Sequence, residues 1–281
     1  MERYTITRFN KEFATDEACL EYLFRRFYPL GIVDCKVCKK PTKHHRVKSR
    51  PSYSCDVCGH HVHPTADTIM HKSSTPLKLW FYAIYLVSST RMGISAKQLE
   101  RELGVTYKTA WRMMKQIRSM MGDNGGKLVG VVEVDETYMG GKVKGHYRQA
   151  TNKTVVMGMV ERGGRVKTEV IKSDSGTILL PHVRDNISKD ATVMSDQLRA
   201  YQGLPAMGYD HRSVNHKKQW AVGHTHTNTI EGFWSIMKSG IKGVYRHVEP
   251  QYIQSYTNEY AWRYSRRHST VPMFELLLNQ I

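Results

Sequence analysis

The stretch VGVVEVDE, Val129 to Glu136, decides the architecture of the larger part of this chain. It is an apolar, β-branched run that closes on acids, the composition of a strand covered on both faces of a sheet. A second run, ATVMSD from Ala191 to Asp196, ends in the same way. A carboxylate just past a buried strand is held rigidly at the sheet edge yet can reach solvent and a metal ion. A third acid, Glu231, lies in TNTIEGFWSIMK, where Ile230, Phe233, Trp234 and Met237 recur at helical spacing and leave the acid on another face. Asp135, Asp196 and Glu231 so placed predict a divalent-metal site that cuts or joins nucleic acid. Periodicity leaves neighbours in play: Glu133 shares the strand face of Asp135, and Glu136 and Asp174 lie close in sequence. Asn228, one helical turn before Glu231, and Lys238, two turns after it, can share its face and turn an amide and a cation to the same phosphate.

Working outward, strands are expected over Lys127 to Tyr138, Thr154 to Arg162 and Val166 to Ser173, the last two joined by the Gly163-Gly164 turn into an antiparallel meander. A helix over Thr177 to Ile187, a strand over Thr192 to Ser195, a short helix after Gln197, a strand near Ser213 to His216 and the Glu231 helix complete the set. Two acids at strand ends and one on a later helix is the order of a ribonuclease-H-like sheet. In the tail, Tyr252, Tyr256, Tyr260 and Tyr264 form an i, i+4 stripe, read as a packing face more than as a base-stacking one.

The chain has 281 residues, with 42 Lys and Arg against 25 Asp and Glu and a formal charge of +17. That length suits two or three domains. The positive excess is the footprint of a polyanion partner, since neutralising phosphates releases condensed counterions. A membrane partner is not expected, because no long apolar stretch or amphipathic lysine helix is present. No signal peptide is legible in MERYTITRFNKEF, so a reducing, cytoplasmic setting without structural disulfides is expected.

Four of the five cysteines form two knuckles, Cys35-Lys-Val-Cys38 and Cys55-Asp-Val-Cys58, at the spacing of a four-thiolate zinc site. Two residues between thiolates let both converge on one side of a tight turn, and two such turns close a tetrahedral shell with no open position. One structural zinc per chain is therefore expected; a redox pair or a disulfide clip is the rival reading. Cys19 reads as a small buried apolar residue, and His60, His61 and His63 are left outside the ligand set. Between the knuckles Lys43, Arg46 and Lys48 crowd with other cations on one hairpin that can grip a DNA backbone. After the Ser73-Ser74-Thr75-Pro76 cap, helices run to Met121, with a tight turn at Gly104-Val105. Leu99, Leu103, Val105, Ala110 and Met113 fit the interior of a helix-turn-helix, with Thr106, Tyr107, Lys108, Thr109 and Arg112 toward the groove. A plain helical hairpin is the alternative.

The fold class read from these elements is multidomain: an N-terminal helical segment (1–30), a zinc ribbon (31–66), a helix-turn-helix region (75–122), and an α/β ribonuclease-H-like catalytic domain with a mixed sheet (127–281). In these motifs the chain resembles the bacterial insertion-sequence transposases of the DDE type that carry an N-terminal zinc ribbon. The likeness is most specific in VEVDETYMGG and HTNTIEGFWSIMKSGIKGVYRHV, and extends to SDQLRAY and NEYAWRYSRR. It implies Asp135 (before Glu-Thr-Tyr) and Asp196 (opening D-x-x-x-x-Y) as the first two catalytic acids. Glu231 is the third, or Asn228 as in some relatives, with Lys238 beside them. It further implies two catalytic Mg2+ or Mn2+ ions, double-stranded DNA as element ends and target, and a homo-oligomer, at least a dimer. The basic insert after Met139-Gly-Gly141 is shortened here. A domesticated, non-catalytic DNA-binding regulator and a ribonuclease-H-like nuclease are the two other readings.

Overall fold

The computed structural model describes residues 4–122, 125–140, 153–214 and 225–281. The chain divides into two compact units, one holding residues up to 91, 96–117 and 270–281, the other 92–95 and 118–269.

In the first unit, helices α1 (Ile6–Glu12) and α2 (Asp16–Phe27) precede a four-stranded antiparallel ribbon, β1 (Ile32–Cys35), β2 (Lys40–Val47), β3 (Ser52–Cys55) and β4 (His61–Val62). Helix α2 starts because Thr15 caps the amide of Ala18, and its Asp16 and Glu17 at one end and Arg25 and Arg26 at the other suit the helix dipole. Its apolar face, Cys19, Leu20, Leu23 and Phe24, is buried, and Phe24 stacks on Tyr53 of β3 at 3.6 Å between ring centroids. The ribbon thus borrows a core it is too thin to build alone. Next come α3 (Leu77–Ser89), α4 (Ala96–Leu103) and α5 (Tyr107–Ser119); the last two are separated by Gly104, whose φ of +64° is the left-handed conformation that glycine adopts without cost. Leu99, Leu103, Ala110 and Met113 are buried as the pattern predicts, while Val105 is half-buried.

The second unit is a five-stranded mixed sheet in the order β7-β6-β5-β8-β9. Strands β5 (Val131–Met139), β6 (Thr154–Glu161) and β7 (Val166–Ile171) form the antiparallel meander, and β8 (Thr192–Ser195) and β9 (Asp210–Ser213) add in parallel. Alternate residues feed two cores. Val132, Val134, Met157 and Val193 pack with Leu179 and Val183 of α6 (Gly176–Asn186). Val156 and Val160 pack with Ile230, Phe233 and Met237 of α7 (Asn228–Gly240) and with Tyr260 of α8 (Ile253–Ser265). Both faces are covered, which is why the central strands read as unbroken apolar runs. Among the described residues no helix is long and apolar enough to cross a membrane.

Two sequence expectations shift. The last strand is Asp210–Ser213, earlier than Ser213 to His216, of which 215 and 216 lie outside the described residues; β9 is a mostly exposed edge strand with no alternation for a pattern to reveal. The helix α9 (Met273–Leu278) does not continue the sheet unit, as a catalytic domain reaching residue 281 requires. It packs in the first unit, where Phe274 meets Phe9, Phe13 and Tyr85 and Arg26 donates to the Asn279 side chain at 2.6 Å. The tyrosine stripe is a packing face. Tyr260 is buried, Tyr264 meets Phe233 edge-on, and Tyr256 lies under the Arg118 guanidinium, which with Arg263 pairs the fully buried Glu259.

Candidate active site

Strands β5 and β8 pair in parallel through Val131 with Thr192, Val132 with Val193 and Glu133 with Met194. Carried two residues further, the same offset sets Asp135, midway along β5, beside Asp196, which follows the last residue of β8. The acids are held differently. Asp135 Oδ2 accepts from the indole Nε1 of Trp234 at 2.9 Å. Asp196 Oδ1 accepts from the amide of Leu198 at 2.9 Å, closing a tight turn out of β8. Glu231, in the first turn of α7, accepts from the Thr227 hydroxyl at 3.3 Å.

Burial, then the negative charges of Asp196 and Glu231, raise the Asp135 carboxyl to about 6 despite the indole bond that opposes the shift. The three acids therefore share one electrostatic neighbourhood, in which Asp196 and Glu231 each disfavour the ionisation of Asp135. A divalent cation relieves that repulsion, and an all-oxygen donor set suits Mg2+ or Mn2+.

The neighbouring acids fall into other roles. Glu133 is fully buried and surrounded by donors. Glu136 points to the opposite face, where Tyr201 donates to it, and Asp174 accepts from Tyr138 at 2.6 Å. Asn228 is exposed at the first residue of α7 and Lys238 is exposed in its last turn.

Sequence periodicity placed Trp234 only in the core and gave Gly158 no role. Gly158 pairs with Asp135 across β5 and β6, and a Cβ there would meet two Trp234 ring atoms at 2.5 and 2.6 Å. The missing side chain is what lets the indole lie flat on the strand and reach the acid. The available signal was a glycine inside an otherwise apolar strand, which marks close approach. Gly158→Ala should displace Trp234, cost about 1–3 kcal/mol of stability and lower any metal-dependent activity; a variant as stable and as active as wild type would refute this packing role.

Burial first, and then Asp135, Asp196 and Asp174, push the Glu136 carboxyl from 4.5 to about 8, against the Tyr201 hydrogen bond. The folded state then keeps a proton that the unfolded chain has already lost. The stabilisation is complete below the unfolded value and disappears as pH rises toward the folded one. Glu136→Gln removes this dependence. Its melting temperature relative to wild type, with zinc retained and no Mg2+ or Mn2+ added, should rise steadily between about pH 5 and pH 8. A constant difference across that range would show that Glu136 ionises normally.

In the ribbon, the four sulfurs all lie within 4.8 Å of one another, with Cys35 to Cys58 at 3.5 Å and Cys38 to Cys55 at 3.9 Å. Zinc–thiolate bonds of about 2.3 Å place tetrahedral sulfurs roughly 3.8 Å apart, so the cluster has the dimensions of a closed zinc shell. The knuckles turn alike: the amides of Lys39 and Gly59 donate to the carbonyls of Cys35 and Cys55, and both residues take positive φ. Cys19 is buried away in α2.

Of the residues expected to meet DNA, Thr106, Tyr107, Lys108, Arg112, Lys43 and Lys48 are exposed and Thr109 is half-buried. Thr106 caps α5 by accepting from the Thr109 amide, and Arg112 donates to Ser73 at 3.4 Å. Arg46 is turned inward, donating to the carbonyls of Val47, Arg50 and Ser52, and so holds the β2–β3 turn.

The order of a four-cysteine ribbon followed by a mixed sheet is matched by known families. Residues 127–265 match the ISXO2-like transposase domain and residues 14–61 match the transposase zinc-ribbon domain. The chain belongs to this family of insertion-sequence transposases. It is 25% identical over 205 residues to an uncharacterized protein in transposable element ISH50 of Halobacterium salinarum, covering 66% of this chain and 69% of that protein. It is 27% identical over 101 residues to an uncharacterized transposase-like protein of Haemophilus influenzae, covering 36% of this chain and 81% of that one. Among solved structures, a chain of the simian T-cell lymphotropic virus intasome in complex with PP2A regulatory subunit B56 gamma superposes loosely, at 13% identity and a TM-score of 0.30. That match covers 64% of this chain and 65% of that one.

Proposed function

We propose that this transposase is a DDE enzyme that cleaves phosphodiesters at the ends of its insertion sequence and joins the freed 3′-hydroxyls to target DNA. The observation that carries the reading is the closeness of Asp196 and Glu231 to Asp135, whose carboxyl both charges raise, with β5 and β8 as parallel neighbours. Asp135, Asp196 and Glu231 would hold two Mg2+ or Mn2+ ions, with Asn228 the alternative to Glu231. Bound there, the ions supply Lewis acidity at the attacking and leaving oxygens. In the first step a water oxygen bonds to phosphorus, the bond to the 3′-oxygen breaks, and that oxygen leaves as a hydroxyl. In the second, the hydroxyl attacks a target phosphodiester and displaces a target 3′-oxygen.

The chain's own groups orient these steps. Trp234 fixes the direction of the Asp135 carboxylate, and Lys238 and Asn228 present a cation and an amide on the α7 face that carries Glu231. Groove-facing residues of α5 (Thr106, Tyr107, Lys108, Thr109, Arg112) and Lys43 and Lys48 of the ribbon contact duplex DNA, and the excess positive charge supplies the salt-dependent part of that affinity. Pairing two element ends calls for a homo-oligomer, at least a dimer.

The test is a strand-transfer assay with the terminal inverted repeats that flank the coding region, in Mg2+ or Mn2+. Cut ends joined to target support the reading. Binding of the ends without cutting in either metal would indicate a DNA-binding regulator, and cutting of RNA–DNA hybrids without joining a ribonuclease-H-like nuclease.

A further inference from the structure

The amide of Asn228, first in α7, donates to His226 Nδ1 at 3.4 Å, just ahead of the helix. Thr227, the residue ahead of the helix, makes no side-chain capping bond, although the amides of the first turn need acceptors. For the next two amides the acceptor comes from the sheet. Glu133 of β5 accepts from the amides of Thr229 at 2.8 Å and Ile230 at 3.0 Å and from the Thr229 hydroxyl at 2.9 Å. The same carboxylate takes Arg162 Nε at 2.7 Å and lies 3.2 Å from His226 Nδ1. Arg162 also donates to the carbonyl of His226 at 2.9 Å, tying the approach to the helix into the same network.

Glu133 is completely buried, and a carboxylate in that setting is tolerated only with partners on both oxygens. It has them, from β6, from the approach to α7 and from α7 itself. Two residues along β5 on the same face stands Asp135, bound to Trp234 one turn deeper in α7. The helix is thus fastened to the strand at two points, and Glu231 lies between them in sequence. Sliding α7 along β5 would break both.

We infer that Glu133 is a positioning residue for the metal site: a buried cap delivered from β5 to the N-terminus of α7 that fixes Glu231 relative to Asp135. This rests on the reading of Asp135 and Glu231 as metal ligands. Outer partners that orient ligands typically change metal affinity by about 10- to 100-fold when removed. Gln at this position keeps the shape but turns an NH2 group toward donors and removes the charge that Arg162 faces.

The experiment is Mn2+ binding to the full-length, zinc-loaded protein, followed by electron paramagnetic resonance of free Mn2+. Wild type and Asp135→Asn test the site first: binding that survives Asp135→Asn overturns the ligand assignment itself. With binding lost in Asp135→Asn, Glu133→Gln of unchanged zinc content and circular dichroism should bind Mn2+ at least about tenfold more weakly. Wild-type affinity in that folded variant would overturn the positioning role while leaving the site intact. Should Glu133→Gln fail to fold, Thr229→Ala, which removes one donor, carries the test. A weaker Mn2+ affinity supports the role and an unchanged one overturns it. A purely structural cap would lower the melting temperature and leave the affinity alone.

Discussion

Asp135→Asn will abolish DNA cleavage and joining, lowering the rate by roughly a thousandfold or more, while leaving the affinity for element-end DNA within about twofold of wild type. The substitution removes one negative charge and keeps an oxygen for the Trp234 indole, so the position of the side chain survives and its ability to hold a divalent ion does not. It should also raise the melting temperature of the protein measured without Mg2+ or Mn2+ near neutral pH. The carboxyl is held up at about 6 by burial and by Asp196 and Glu231, so its ionised form is disfavoured in the folded state and the amide avoids that penalty. Lost cleavage together with gained stability separates a functional acid from a structural one. Asp196→Asn should show the same loss of cleavage. Retained cleavage in either variant, assayed in Mn2+, would remove that acid from the site. Glu231→Gln and Asn228→Ala, assayed side by side, then decide the third ligand: the expected result is loss in the former and activity in the latter.

The second large effect is loss of the ribbon on removal of zinc. The protein should carry one zinc per chain, and stripping it with a strong chelator should unfold β1 through β4. Metal binding in such small domains contributes on the order of 10–16 kcal/mol, far more than so thin a sheet can supply from its own burial. The aromatic stack of Phe24 on Tyr53 and the α2 face behind it would then lose their support. Limited proteolysis is the direct readout: new cuts between residues 31 and 66 should appear only after chelation, and Cys55→Ser should show them without it. Protein purified under reducing conditions that contains no zinc, or a ribbon that stays protected after chelation, would sink the assignment.

The zinc site was legible because both knuckles are local: two residues between thiols, and two copies of one turn, make the ligand set visible in sequence. The strands that carry Asp135 and precede Asp196 were legible for a related reason, since each acid follows an apolar run. The sheet order was also within reach, because the Gly163-Gly164 turn and the single helix before β8 limit the connections. Arg46, expected to meet DNA, folds back onto its own turn, which a charge run does not reveal. The placement of α9 was missed for a similar reason: nothing in Phe274 and its neighbours says which core receives them.

By itself the sequence determined that a thiol ribbon precedes a sheet whose apolar central strands lead into acids, because run length and knuckle spacing are properties of neighbouring residues. Only the tertiary structure shows what surrounds each of Glu133, Asp135 and Glu136. The three are adjacent on one strand, and what separates them is contributed from far along the chain: the α7 amides and Arg162 for Glu133, the Trp234 indole lying on Gly158 for Asp135, and Tyr201 for Glu136. A carboxylate's role follows from the donors and charges around it, and those come together only when the sheet has formed.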